Sequence, residues 1–193
     1  MPWAPAAPVR ANQNPARMPH RLLALAATID RLTVTVGRAV AWCVLAMVLV
    51  EVAVVLMRYV FGLGSIWLSE AIVYAHATLF MGAAAWTLQQ GAHVRVDIFY
   101  GDARPRNRAL VDLAGALLLL LPFVSVLAWF ALPYVGRSWA ILERSREASG
   151  LPLVFVLKSL ILVFAVLVGL QGIAQAARAW VTLAGRASDA TGR

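Results

Sequence analysis

Charged residues are scarce in this sequence and cysteine is almost absent. Only 13% of the 193 residues are charged and 62% are hydrophobic, whereas a soluble domain has about 25% charged and about 45–50% apolar residues. One small soluble core could not bury so many apolar residues, so we expect them to face lipid. Cys43 is the single cysteine. With no second cysteine an internal disulfide is excluded, and the apolar neighbours of Cys43 predict a buried, inert thiol.

The sequence also lacks the motifs of enzymes and cofactor sites. It has no phosphate-binding loop, no metal-ligand spacing and no nucleophile paired with a base. Haem held by two histidines needs both at one depth, but His76 is the only histidine inside an apolar run. His76 is instead predicted to be a hydrogen-bonded histidine between packed helices. We therefore predict that the protein is not an enzyme and binds no cofactor.

Four apolar runs, each of about 20 residues or more, predict four membrane-spanning helices. They cover residues 39–57, 67–88, 109–135 and 153–180. The runs are continuous and do not alternate, which excludes a β-barrel. Pro122 removes a backbone hydrogen bond in the third run and is predicted to kink that helix. The expected fold class is an all-α integral membrane protein, with its membrane domain at residues 20–182.

Positive charge indicates how these helices are oriented. The formal net charge of +8 is carried by arginine, with Lys158 as the only lysine. Because the arginines lie at the ends of apolar runs, they predict a membrane protein and no nucleic-acid partner. Twelve of the sixteen arginines lie in the N-terminal segment, the loop after the second run and the C-terminal segment. Positive loops stay in the cytoplasm, so both termini are predicted to be cytoplasmic.

The two ends of the chain differ from the apolar runs. Residues 1–19 contain five prolines and no periodic pattern, which predicts a disordered cytoplasmic tail, and residues 183–193 are predicted to be a second tail. Residues 20–38 carry apolar side chains at helical spacing, with arginines and threonines opposite. This pattern predicts an amphipathic helix in the membrane interface. The alternative is a polar extension of the first span. The apolar positions are Leu22, Leu25, Ile29, Leu32 and Val36.

Glu51 is the most conspicuous polar residue of the first run. A carboxylate inside a membrane costs a few kcal/mol even on the lenient insertion scale, and intramembrane charges are functional by default. Three interpretations remain open. Glu51 pairs with a charge on another helix or another subunit, it is protonated and structural, or it carries a proton or a cation. Arg58 lies two turns further along the same helix.

Three further residues near the predicted membrane surface have ordinary explanations. Trp67 is expected to anchor the second helix at the interface. Glu70 is placed in the first helical turn, where the helix dipole stabilises a carboxylate. Lys158 can extend to the outer surface along its aliphatic stem. Small residues at four-residue spacing, such as Ala165 and Gly169, favour close helix packing.

Six short segments, in this order and spacing, resemble the DctQ-like family, the small permease subunit of tripartite ATP-independent periplasmic (TRAP) transporters. The similarity covers residues 21–180, and no single motif is specific alone. Gly62 departs from the asparagine that is frequent there, but glycine supplies the same left-handed turn. The segments are RYVF at 58–61, WLSE at 67–70, GAHVRVDI at 91–98, DLAG at 112–115, EASGLP at 147–152 and QG at 171–172.

This resemblance implies a partner-dependent role in the inner membrane of a bacterial cell. A large permease subunit would carry sodium and the substrate, often an organic acid, and a periplasmic solute-binding protein would deliver that substrate. The small subunit would extend the fixed scaffold and help the binding protein dock. Candidate interface or structural residues are Glu51, Arg58, Trp67, Glu70, His93, Asp97 and Lys158.

One other function remains open from the sequence. Small proton-coupled multidrug exporters also have four spans and a glutamate in the first, so Glu51 would carry the proton in a stand-alone exporter. Those proteins are much shorter, and their glutamate lies nearer the middle of its helix. The resemblance therefore favours the transporter subunit over the exporter.

Overall fold

A computed structural model of the protein describes residues 20–92 and 104–191, with side chains described for 21–92 and 104–184. These residues form four helices and no strand. Helix α1 is His20–Val60, α2 is Ile66–Gln89, α3 is Pro105–Ala140 and α4 is Val154–Thr191. All four are long and apolar enough to cross a membrane. The predicted all-α architecture is confirmed, and it contains four helices that are able to span a membrane.

Helix α1 is continuous over 41 residues. At 1.5 Å per residue it is about 60 Å long, twice the roughly 30 Å hydrocarbon core of a bilayer. The segment at residues 20–38 therefore runs into the first span without a break in the helix. Ile29 of its predicted apolar face is buried, whereas Leu25 and Leu32 are almost half exposed. A location of this segment in the interface stays a prediction.

A tight turn joins α1 to α2. Gly62 has a φ of +66°, a left-handed conformation that glycine adopts without a steric cost, and this confirms the turn expected there. The Leu63 amide donates to the Met57 carbonyl at 2.9 Å. Ser65 then caps α2, its hydroxyl accepting from the Leu68 amide at 3.4 Å.

Helix α3 is irregular in its first half. Residues Gly115–Leu120 form a π-helical segment between α-helical residues Pro105–Ala114 and Leu121–Ala140. Pro122 lies two residues after the end of this segment, and a missing proline N–H favours such a local rearrangement of the backbone. The observed irregularity at this site is thus a π segment, while a kink at Pro122 stays a prediction. Pro133 is a second proline inside the helix.

The helices pack through small residues. Ala85 is fully buried with Val124, Ala165 and Val168 in the main core. A Cβ atom on Gly82 would lie 2.9 Å from Val40. The predicted close contacts at small residues are therefore present between α1, α2, α3 and α4.

The outer surface of the bundle is apolar. Large side chains such as Leu119, Trp129 and Phe130 are more than 70% exposed. In the most apolar window of α1, none of the residues is buried within the chain. Such an extent of exposed apolar surface fits lipid or a protein partner in the membrane.

Close packing at Gly37 yields a testable prediction. A Cβ there would lie 2.7–2.8 Å from three atoms of the Trp86 side chain, so Gly37→Ala forces α1 and α2 apart. We expect a lower Tm in detergent, corresponding to overpacking of about 1–3 kcal/mol. Gly136→Ala is the control, because its Cβ meets nothing within 4 Å and alanine favours the helix. Equal Tm values for the two variants would contradict the packing.

Candidate functional site

The loop between α3 and α4 folds over the start of α2 and is held by Glu70. One carboxylate oxygen accepts from the Leu151 amide at 2.5 Å, and the other accepts from the Ser145 hydroxyl. Within the loop, the Ser145 amide donates to the Leu151 carbonyl at 3.2 Å. Gly150 is essential to this fit, since a Cβ there would lie 2.7 Å from Glu70 Oε1.

Glu70 thus joins two of the short segments that carry the family resemblance, 67–70 and 147–152. Its predicted place in the first turn of α2 is wrong, because α2 begins at Ile66 and has no acidic residue in its first turn. Glu70 lies one turn later, and Ser65 satisfies the helix end instead. The carboxylate therefore serves the loop and not the helix dipole.

A cleft of about 560 Å³ opens beside this loop, between α1 and α2. Arg58 lies on its α1 side, and Glu70 with Glu147 on the other. Arg58 is exposed, and among the residues that the structure describes it has no hydrogen-bond or ion-pair partner. The cleft lies at the end of the bundle that contains the α1–α2 turn. It therefore exposes a guanidinium without an ion-pair partner in the described chain, close to two carboxylates.

Lys158 connects α4 to the loop at the same end of the bundle. Its ammonium pairs with Glu143 at 2.5 Å and lies 4.2 Å from the centre of the Tyr134 ring. Trp139 donates to the Ser159 hydroxyl at 2.8 Å. The predicted extension of Lys158 towards the surface thus ends in a specific partner, and the pair ties α4 to the loop.

A second polar cluster joins α1 to α4 near the other end. Gln171 is fully buried; its amide donates to Asp30 at 3.1 Å, and its oxygen accepts from Thr33 at 3.2 Å. Arg178 donates to the second Asp30 oxygen at 2.8 Å. Gln175 donates to the Leu88 carbonyl at 3.1 Å, which connects α2. These bonds satisfy groups that would be costly to bury unpaired.

Sequence reasoning missed this second cluster, although a signal was present. Asp30 and Thr33 are one turn apart on the face of α1 that also carries the buried Ala26 and Ile29. Gln171, Gln175 and Arg178 recur at one and two turns on α4. Polar residues repeating on a helix face that is otherwise apolar indicate a partner face elsewhere in the bundle.

The remaining predicted residues are not brought into either cluster. Glu51 is exposed on α1 and Trp67 is half exposed at the start of α2. The expectation that His76 packs between helices is wrong, since it is exposed and contacts Phe80 in a stacked ring pair with centroids 6.4 Å apart. His93 and Asp97 lie outside the described residues. In the described part of the chain, no three metal-ligating side chains converge.

The hold of Glu70 on the loop can be tested by proteolysis. Glu70→Ala removes the acceptor of two hydrogen bonds, each worth about 1.5–3 kcal/mol when one group is charged. We expect trypsin to cut after Arg144 and Arg146 about tenfold faster or more, because the loop opens more often. Glu147→Gln is the control: it also removes a loop carboxylate, but one without a hydrogen bond to its side chain in the described structure. Equal cleavage rates would contradict this role for Glu70.

The ion pair at Lys158 predicts a pH dependence. The hydrogen bond from Lys158 lowers the pKa of Glu143 from its usual 4.5. A lowered pKa means that the pair stabilises the folded state above pH 4.5 and that this stabilisation is lost as pH falls through the lowered pKa. The Tm of Glu143→Gln should lie below that of the unaltered chain at pH 7, and the two should converge towards pH 3. A gap that persists at pH 3 would contradict the charge pairing.

Comparison with known proteins gives one match. A family model described as "Tripartite ATP-independent periplasmic transporters, DctQ component" matches residues 47–182, which is 136 of the 193 residues. No curated protein matches the chain. No solved structure matches it either. The matched segment begins within α1 and contains Glu70, its loop, Lys158 and the α4 residues of the second cluster.

Proposed function

Because the chain belongs to the DctQ component family of TRAP transporters, we propose that it is a scaffold for a large permease subunit. In this proposal the large subunit moves an organic acid together with sodium, and a periplasmic solute-binding protein delivers the substrate. The small subunit itself carries neither. Its role is to hold a fixed wall of helices in the bacterial inner membrane against which the large subunit works.

The observation that supports a scaffold is the distribution of polar groups. The Glu70 carboxylate accepts hydrogen bonds from the loop between α3 and α4, and the Asp30 carboxylate accepts hydrogen bonds from Gln171 and Arg178. Between these two clusters the main core consists of Ala85, Val124 and their apolar neighbours. An apolar core at this position does not favour a path along which an ion or a carboxylate could cross. Hydrogen bonds at both ends of the bundle and an apolar core between them favour a rigid subunit over one that changes conformation.

The proposed topology places both termini in the cytoplasm, with the segment at 20–38 at the inner surface. The arginine distribution supports it. The Asp30 cluster then lies on the cytoplasmic side. Glu70, Arg58 and the loop that contains Glu147 face the periplasm, where the solute-binding protein approaches. The cleft at Arg58 would be accessible from that side.

The stand-alone exporter is disfavoured by the position of Glu51. A proton-coupled carrier needs its carboxylate to line a path between helices, where substrate and proton can compete for it. In this chain Glu51 lies on the outer surface of α1. Its exposure fits contact with another protein better than transport within this chain.

Reconstitution tests the scaffold function. The chain, the large permease subunit and the solute-binding protein are purified and combined in liposomes under an inward sodium gradient, with a mixture of radiolabelled organic acids outside. We expect uptake only when all three are present, and a stable detergent complex of the two membrane subunits. Liposomes with this chain alone are the control. Uptake or proton-driven export by the chain alone would refute the scaffold function.

A further inference from the structure

Glu51 is a carboxylate on an otherwise apolar outer surface. It shares a stripe of α1 with Val44, Val48 and Val55, all exposed by more than two fifths. In the described structure no hydrogen bond or ion pair reaches its side chain. Lipid tails offer no hydrogen-bond donor, so a bare carboxylate here carries the full cost of leaving water.

His76 lies at the same depth on the neighbouring helix. Glu51 is nine residues before the end of α1 and His76 ten residues after the start of α2, which is about 14 and about 15 Å from the shared turn. Each lies one helical turn further from the α1–α2 turn than a residue that lines the cleft: Glu51 lies beyond Val54 on α1, and His76 lies beyond Val73 on α2. One face of the α1–α2 pair thus holds two polar side chains that have no hydrogen-bond or ion-pair partner in the described chain.

The opposite side of the bundle differs in this respect. Between residues 117 and 132 of α3, the exposed side chains other than Ser125 are apolar, among them Phe123, Trp129 and Phe130. The exposed serine there, Ser125, donates to the Leu121 carbonyl of its own helix at 2.7 Å. Lipid tails can cover such a surface at no cost in hydrogen bonds, whereas they leave the Glu51 carboxylate without a donor.

We propose that the α1–α2 face is the membrane-embedded docking surface for the large permease subunit, which places a basic side chain opposite Glu51. This inference rests on the proposed function and names the contact through which it is exercised. Charge complementarity carries it, because a buried charge is retained where a partner of opposite charge and hydrogen bonds satisfy it. His76 supplies a second polar group at that depth.

A second copy of this chain is a poor occupant of the face. Two copies in one membrane share the same orientation, so a contact through α1 about a two-fold axis along the membrane normal brings each Glu51 to the depth of the other. Like charges in a medium of low dielectric repel strongly. The face therefore favours a different chain that carries a base at this depth.

A charge series at position 51 tests the pairing. The chain and the large subunit are co-expressed, and the large subunit recovered with the tagged chain is measured. Glu51→Asp should retain the complex, Glu51→Gln should lower its affinity by about tenfold or more, and Glu51→Lys should abolish it. Ser125→Ala on α3 is the matched control and should change nothing. The Tm of each variant as an isolated chain should stay unchanged, which separates lost docking from lost folding.

Photo-crosslinking tests the location independently of charge. A photoreactive amino acid replaces Val48 or Val55 on the proposed face, and Phe123 or Trp129 on α3. We expect adducts with the large subunit from the first two positions and none from the last two. Adducts from α3 alone would place the interface elsewhere. Adducts of two copies of this chain from Val48 would show that the face mediates self-association. Either result overturns the inference.

The two proposals fail in different ways. A complex that forms with the large subunit but tolerates Glu51→Lys, or that crosslinks through α3, refutes the docking face and leaves the scaffold function intact. Absence of any complex between the two subunits, together with activity of the chain alone, refutes the scaffold function itself.

Discussion

Polar groups inside a membrane are costly unless they find partners within the protein, and this constraint explains the two polar clusters of the bundle. An unsatisfied buried polar group costs about 1–3 kcal/mol, and more when it is charged. The chain meets the requirement at both ends of its bundle. At one end Glu70 accepts hydrogen bonds from a backbone amide and a hydroxyl, and at the other end Asp30 accepts hydrogen bonds from a side-chain amide and a guanidinium. Apolar packing alone could not select these positions, because lipid tails are as apolar as leucine.

The two clusters also determine which helices stay together. Glu70 ties α2 to the loop before α4, and Lys158 ties that loop back to α4 through Glu143. At the other end Gln171 joins α4 to α1, and Gln175 joins it to α2. Helix α4 is thus bonded at both of its ends, while small residues such as Ala165 and Gly169 set its close approach between them. A helix held at both ends resists sliding against its neighbours, which is consistent with the proposed scaffold function.

The sequence predicted what depends on local pattern and missed what depends on distant pairing. The apolar runs gave four helices, with the second correct to one residue at each end, because hydrophobic length is a local property. The continuity of α1 corresponds to the alternative stated for residues 20–38, a polar extension of the first span, because a change of amphipathicity leaves the backbone hydrogen bonds of a helix intact. The partners of Glu70 lie 75 and 81 residues away and those of Asp30 lie 141 and 148 away. Periodicity cannot report such separations.

The face that carries Glu51 is an exception, because this carboxylate has no hydrogen-bond or ion-pair partner in the described chain, and the same constraint suggests what the exception is for. An apolar interface between membrane proteins gains little over lipid, and it allows one helix to slide along another with small changes in energy. A single charge pair at mid-membrane depth removes that freedom, because every vertical displacement separates the charges in a medium of low dielectric. A buried polar group fixes register in coiled coils in the same way. For the proposed scaffold function, in which this subunit stays fixed while the large subunit moves, one carboxylate at a defined depth is therefore more useful than additional apolar area.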